Sequence, residues 1–299
     1  MNRPSTPQNS GNHSFYSAGI KSSEQISLYL KKLSSNSVDR NDAILFLSQQ
    51  RDNYQELGQL LWETPGAVTA LLTEVFSIYP HVISIASSPA YVPSPLTQKA
   101  SYRVCNSISL FQSMAICESS RNSLISSNIL MYLFPFLHST NPSRECELLK
   151  LASLGVIGNL VKSDSNEVVQ YLFKNGYVPL CLRILKFGID INRILAAYIL
   201  KRLITNPVGS SLIYSSKDNL ITVLKVFNTI LIDLSKNFHL HLSNNIILSY
   251  EAIMNSTEAS IVPSLIPIDQ FKSLQFSSTC DEKYRSYIGF LIEAATQSK

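Results

Sequence analysis

Residues 144–204 read RECELLKLASLGVIGNLVKSDSNEVVQYLFKNGYVPLCLRILKFGIDINRILAAYILKRLI, and this run limits the fold more than any other part of the chain. It holds three apolar helix patterns in succession, with short polar turns and no strand pattern between them. Each pattern is too apolar to stand alone in water, so each needs neighbours on both sides. That requirement leads to stacked helices, and a stacked array generally binds other molecules on its long surface. Composition agrees: 45% of the residues are hydrophobic and only 15% charged, so the helices must hide much of their surface against one another.

A recurring interval separates a stacked array from a bundle. Shifting residues 114–128 by 47 lays them on 161–175, with the end of an apolar helix, a polar turn and a second short helix coinciding. A further shift of 42 lays 162–171 on 204–213. Intervals of roughly 40–47 residues with two or three helices each belong to the HEAT and armadillo class. Gly176-Tyr177-Val178-Pro179-Leu180 supports the armadillo form, because Gly closes one helix and Pro opens the next. The expected fold is therefore all-α: an armadillo-repeat α-solenoid of about six repeats, crescent-shaped, with a helical bundle as the alternative.

The boundaries follow from local chemistry. Residues 1–20 are rich in Ser, Asn, Pro and Gly and are expected to be a disordered tail, leaving 21–299 as a single domain. The first helix is expected from Ser23. Pro65 is placed in the first turn of a helix carrying Val68, Leu71, Leu72, Val75, Phe76 and Tyr79, one stripe at i, i+3, i+4, i+7, i+8, i+11. Pro89, Pro93 and Pro95 make 81–97 a loop, helix resumes near Thr97, and a last helix is expected from Glu282 to Thr296.

No constellation for catalysis emerges. The histidines stand at 13, 81, 138, 239 and 241, and the last two are spaced wrongly for a shared zinc on one helix face. There is no nucleophile elbow, phosphate loop or dinucleotide fingerprint. The cysteines at 105, 117, 146, 181 and 280 include no Cys-x-x-Cys pair, and are expected to be reduced and buried. No cofactor or metal is expected. The polar start is not read as a signal peptide, and no uncharged apolar run reaches membrane-spanning length, so a soluble intracellular protein is expected.

Two features point to binding. Lys174, Arg183, Lys186, Arg193, Lys201 and Arg202 face a single acid, Asp190, across 174–202. Such a stripe can attract phosphate, giving weak nucleic-acid binding, or it can be the wet side of amphipathic helices. Gly155 and Gly158 lie mid-helix, where each costs about 0.8–1.0 kcal/mol relative to Ala, so a close neighbour is implied. That neighbour is either a packed helix or a ligand.

Several segments together resemble one family. They are Leu154-Gly155-Val156-Ile157-Gly158-Asn159-Leu160-Val161-Lys162, Pro179-Leu180-Cys181-Leu182-Arg183-Ile184 and Arg103-Val104-Cys105-Asn106. Leu133-Phe134-Pro135-Phe136-Leu137-His138, Ile78-Tyr79-Pro80 and the Leu61-Trp62 helix end join them. Their order over about residues 22–296 resembles the "required for cell differentiation" (Rcd-type) family, the armadillo subunit of the CCR–NOT deadenylase complex.

The resemblance implies a non-catalytic adaptor, cytoplasmic (including P-bodies) and nuclear, that serves mRNA decay, translational repression and transcriptional regulation. It implies docking on the Not scaffold subunit through Val68, Leu72, Val75, Phe76 and Tyr79, although Glu63 and Pro65 depart from the family's usual His and Phe. It further implies a groove for amphipathic helical peptides of mRNA regulators at Leu148, Gly155 and Leu195, with Tyr198 and Arg202 nearby. On that reading Gly155 becomes groove floor, which Gly155→Trp would fill. Lys217 and Asn219 replace the residues that frame the family's tryptophan pockets, so that binding is not expected. The helix over 238–254 lacks the family's basic residues, and homodimerisation through exposed apolar helices is left open. The alternative class is an independent armadillo module acting as a nucleic-acid-binding or transcription cofactor.

Overall fold

The computed structural model describes residues 12–35, 39–82, 96–255, 267–275 and 282–297. The expected tail over 1–11, the proline-rich stretch 83–95 and segments 256–266 and 276–281, with Cys280, lie outside the described residues. Every regular element among the described residues is helical. In chain order these are α1 (Asn12–Ser34), α2 (Arg40–Gln50), α3 (Leu57–Glu63), α4 (Ala67–Ser77), α5 (Tyr79–Val82), α6 (Gln98–Ile116) and α7 (Glu118–Ser126). A 3₁₀ turn (Ile129–Leu133) and α8 (Phe134–His138) follow, then α9 (Arg144–Val161), α10 (Asn166–Lys174), α11 (Tyr177–Phe187) and α12 (Asp190–Thr205). The chain continues through α13 (Pro207–Tyr214), α14 (Lys217–Lys236), α15 (Leu240–Met254), α16 (Ile268–Gln275) and α17 (Glu282–Gln297).

The packing is that of an α-solenoid. α6, α9, α12, α15 and α17 form a ladder in which each helix touches the next. A second layer runs α8, α11, α14, α16, with the short helices α10 and α13 against each other at the turns. One continuous apolar core fills the space between the layers, from Ile26 to Leu291. Leu149, Leu154 and Leu160 of α9 are fully buried, as are Leu200 and Leu203 of α12 to within 1%. Their burial explains why the 144–204 run needed neighbours on both sides.

The helix ends follow from the sequence. Thr97 caps α6 by accepting from the Ala100 N–H at 3.3 Å, and Ser143 caps α9 by accepting from Cys146. Asn206 caps α13, its Oδ1 accepting from the Val208 and Gly209 N–H groups at 3.0 and 3.2 Å, with Pro207 at N1. Each such cap is worth about 0.5–2 kcal/mol. Gly176 sits between α10 and α11 at φ 75°, the left-handed region that a side chain disfavours.

Two expected boundaries move. α1 begins at Asn12, earlier than Ser23, so part of the expected 1–20 tail is helical. Pro65 lies before α4 and not in its first turn: Gly66, at φ 82°, is the residue that caps the helix. The left-handed turn at Gly66 reverses the chain before helix can start, and Pro65 supplies the fixed bend leading into it.

Candidate protein-binding surfaces

The helix ladder carries a cleft of about 450 Å³ between α9, α12 and α15. Leu151, Ile194, Leu195, Tyr198 and Leu248 give it apolar walls, and Lys201, His241, Asn244 and Asn245 its polar rim. Lys201 holds its ammonium 5.1 Å from the Tyr198 ring centroid. Burial, and then the neighbouring Arg202, lower the Lys201 pKa. Lys201 has no carboxylate partner among the described residues, so the cleft offers apolar surface with one uncompensated cation. This is the chemistry of a groove for an amphipathic helix.

The residues expected at this groove do not all meet there. Leu195 and Tyr198 line the cleft. Leu148 and Gly155 lie outside it, half-buried on the α9 stripe that flanks Leu151. Arg202 turns away, forming an ion pair with Asp164 and donating from Nε to the Val161 carbonyl at 3.3 Å. Gly155 already has an occupant. A Cβ there would stand 2.4 Å from Nε2 of Gln112, whose amide spans from α6. Gln112 donates to the Ala152 carbonyl at 2.9 Å and accepts from Arg51 Nη1 at 2.9 Å. At Gly158 a Cβ would meet Leu195 Cδ1 at 3.2 Å. Both glycines therefore admit side chains of neighbouring helices.

His241, Asn244, Asn245 and Leu248 were missed by sequence reading. Their i, i+3, i+4, i+7 spacing on α15 is itself a single helix face, and it could have been read as a lining once basic residues were not the only signal sought.

A second surface lies at α4. Phe76 is 40% exposed, Val68, Leu72 and Tyr79 are half-buried, and Val75 is fully buried. Val75 is thus a core residue and no docking contact. A stripe running from i to i+11 with six apolar positions is broad enough that its centre, Leu71 and Val75, must serve the protein's own core. The outer part joins residues from the 3₁₀ turn. Phe76 meets Tyr132 edge-on at 5.0 Å and Tyr79 at 5.4 Å, and the Tyr79 hydroxyl donates to the Tyr132 carbonyl. Burial, reinforced by Tyr132, pushes the Tyr79 phenol up to about 12. Met131 and Tyr132 are themselves exposed, completing an apolar aromatic patch. Their contribution depends on a contact across 53 residues, which local periodicity does not show.

The six cations of 174–202 form no single stripe. Arg193 is neutralised by Asp190 at 3.3 Å and Asp233 at 2.6 Å, and Arg202 by Asp164. Lys201 faces the inner cleft, whereas Arg183 lines a different cleft and leans on His138. Lys186 lies over the Phe187 ring, and Lys174 ends α10. A further cleft of about 260 Å³ lies between α10–α11 and α13–α14, with Asn219 but not Lys217 in its wall.

Among the described residues no three His, Cys, Asp or Glu side chains gather as metal ligands, and no helix is long and apolar enough to cross a membrane. Cys146 and Cys181 are buried free thiols, while Cys105 and Cys117 are only half-buried, short of the burial expected.

Comparison with known proteins places the chain in a lineage. Residues 29–292 match the Rcd1-like cell differentiation family. The chain belongs to that family. It is 34% identical over 220 residues to the cell differentiation protein rcd1 of Schizosaccharomyces pombe, covering 74% of this chain and 75% of that protein. Over 187 residues it is 34% identical to the protein CAF40 of Saccharomyces cerevisiae, covering 62% of this chain and 48% of CAF40. Designed armadillo-repeat proteins share the fold. One superposes with a TM-score of 0.60 at 15% identity, covering 90% of this chain and 99% of the design. A second, solved with a (KR)4 peptide, gives 0.60 at 16%, covering 92% and 98%. This Rcd1-like chain is thus an all-α armadillo-type solenoid.

Proposed function

We propose that this Rcd1-like protein is a non-catalytic adaptor subunit of the CCR–NOT mRNA deadenylation complex. The observation that carries the reading is the presence, on one continuous core, of two separate apolar surfaces, at α4 and on the helix ladder. An adaptor needs one surface to stay on its assembly and another to bring in clients. Val68, Leu72, Phe76 and Tyr79, extended by Met131 and Tyr132, form the dock for the Not scaffold. The cleft around Leu195, Tyr198, Lys201 and Leu248 receives the apolar side of helical peptides from mRNA regulators. Leu148 and Gly155 extend that surface along α9. Family membership supports this assignment. The protein then works in mRNA decay and translational repression, in the cytoplasm including P-bodies and in the nucleus.

Affinity purification with mass spectrometry tests the reading. Tagged protein brings down the scaffold and deadenylases, Phe76→Asp with Tyr132→Asp loses them, and Leu195→Asp keeps them while losing regulators. Purification of the wild-type chain without scaffold or deadenylases defeats the proposal. That outcome would leave an armadillo module acting alone as a nucleic-acid or transcription cofactor, a reading weakened by the scattering of its six cations.

A further inference from the structure

Large apolar side chains cluster in solvent at the turn between α11 and α12. Phe187 is 74% exposed and Ile189 50%, two positions apart. Neither is excused by the core, and both border a cleft of about 210 Å³ between this turn, the end of α8 and the first turns of α9. Leu137 and Ile184 form the apolar back of that cleft. The site is separate from the α4 patch and from the inner cleft, which begins beyond the turn at Ile191.

The charges around it are unequal. Asp190 is held by Arg193 at 3.3 Å, Asp233 by the same guanidinium at 2.6 Å, and Glu147 by Lys150 at 2.5 Å. Each of these three carboxylates thus touches a cation, two of them sharing Arg193. Arg183 and Lys186 have no carboxylate partner among the described residues. Arg183 is steadied by His138, with Nη2 donating to its carbonyl at 3.4 Å and Nη1 3.4 Å from Nδ1. Lys186 has its ammonium 5.1 Å from the Phe187 ring centroid. Two free cations thus flank an apolar slot.

We infer that this edge cleft docks an acidic peptide segment, one apolar side chain entering between Phe187, Ile189 and Ile184 while carboxylates meet Arg183 and Lys186. Charge complementarity selects this occupant. A second copy of the chain in a symmetric contact would set Arg183 and Lys186 against their own equivalents. Nucleic acid matches the cations but not the slot: its single stacking platform, the Phe187 ring, is already overlaid by Lys186, and the remaining apolar walls are isoleucine and leucine.

The test uses the purified full chain and fluorescence anisotropy. The probe is a short fluorescein-labelled peptide in which glutamate alternates with leucine. Control probes replace glutamate by lysine, or leucine by serine. Binding is expected for the first probe only. Phe187→Ser should weaken it about tenfold, and Arg183→Glu with Lys186→Glu by at least about as much. Lys272→Glu, on the exposed side of α16, should leave it unchanged. All of these side chains are at the surface, and circular dichroism checks that each variant is folded. Variants that bind the probe like the wild type, or a lysine probe that binds equally well, overturn the inference. So does a concentration-dependent dimer, measured by sedimentation, that Phe187→Ser dissolves, or a single-stranded RNA bound more tightly than the peptide through the same residues.

Discussion

Gly155→Ala is expected to change sign with the residue at position 112. In the native chain the new Cβ would fall 2.4 Å from Gln112 Nε2, so the amide must swing away. That loses the bond to the Ala152 carbonyl and the one accepted from Arg51, both 2.9 Å long. Two such bonds are worth about 0.5–1.5 kcal/mol each, so the loss is about 1–3 kcal/mol. Against this, alanine is favoured over glycine in a helix by about 0.8–1.0 kcal/mol. The single variant is therefore roughly neutral to about 2 kcal/mol less stable. With Gln112→Ala the obstacle is gone, and Gly155→Ala should then stabilise by about 0.8–1.0 kcal/mol. A double-mutant cycle by urea denaturation measures the coupling, expected at about 1–3 kcal/mol. If Gly155→Ala has the same effect in both backgrounds, Gln112 is not what the glycine accommodates.

Other outcomes follow from burial and charge. Val75→Asp should prevent stable folding, because it places a carboxylate in the core, whereas Phe76→Asp one residue on should leave the melting temperature nearly unchanged; thermal unfolding separates them. Lys150→Met leaves Glu147, 11% exposed and still accepting from Asn192, without its cation and should destabilise by up to about 3 kcal/mol in denaturant titrations. Burial raises the Cys181 thiol to about 12, while hydrogen bonds from Ser119 and Ser120 outweigh burial at Cys117 and lower its pKa. Iodoacetamide at pH 8 should therefore label Cys117 well before Cys181, as read by peptide mass spectrometry. Tyr79 is raised to about 12, so the folded state keeps its proton after the unfolded chain has lost it. Its contribution is intact below pH 10 and lost as pH rises towards 12, and Tyr79→Phe should remove that part of the alkaline decline in stability.

The solenoid was legible because its signals are local. The apolar patterns of α9 to α12, the caps at Thr97, Ser143 and Asn206 and the Gly176–Pro179 joint each depend on residues within one or two turns. The candidate surfaces were only half legible. Periodicity identified the α4 stripe but not that Val75 is spent on the core, since burial depends on which helices arrive from elsewhere. Gly155 announced a close neighbour, yet Gln112 lies 43 positions earlier and nothing in the sequence singles it out. The basic stripe is broken for the same reason, because Asp164 and Asp233, which neutralise two of its members, stand outside residues 174–202.

Helix α12 is pegged at both ends. At its start Arg193 reaches Asp233 at the far end of α14, and at its finish Arg202 and Asn206 hold Asp164 in the turn after α9. One strap crosses to the following repeat and the other to the preceding one, on opposite rims of the array. A solenoid behaves as a coil spring whose pitch comes from small rotations between turns, and straps on both rims resist those rotations. The cleft between α9, α12 and α15 is therefore held at a fixed gauge, and cutting either strap should let that gauge vary before it weakens the fold.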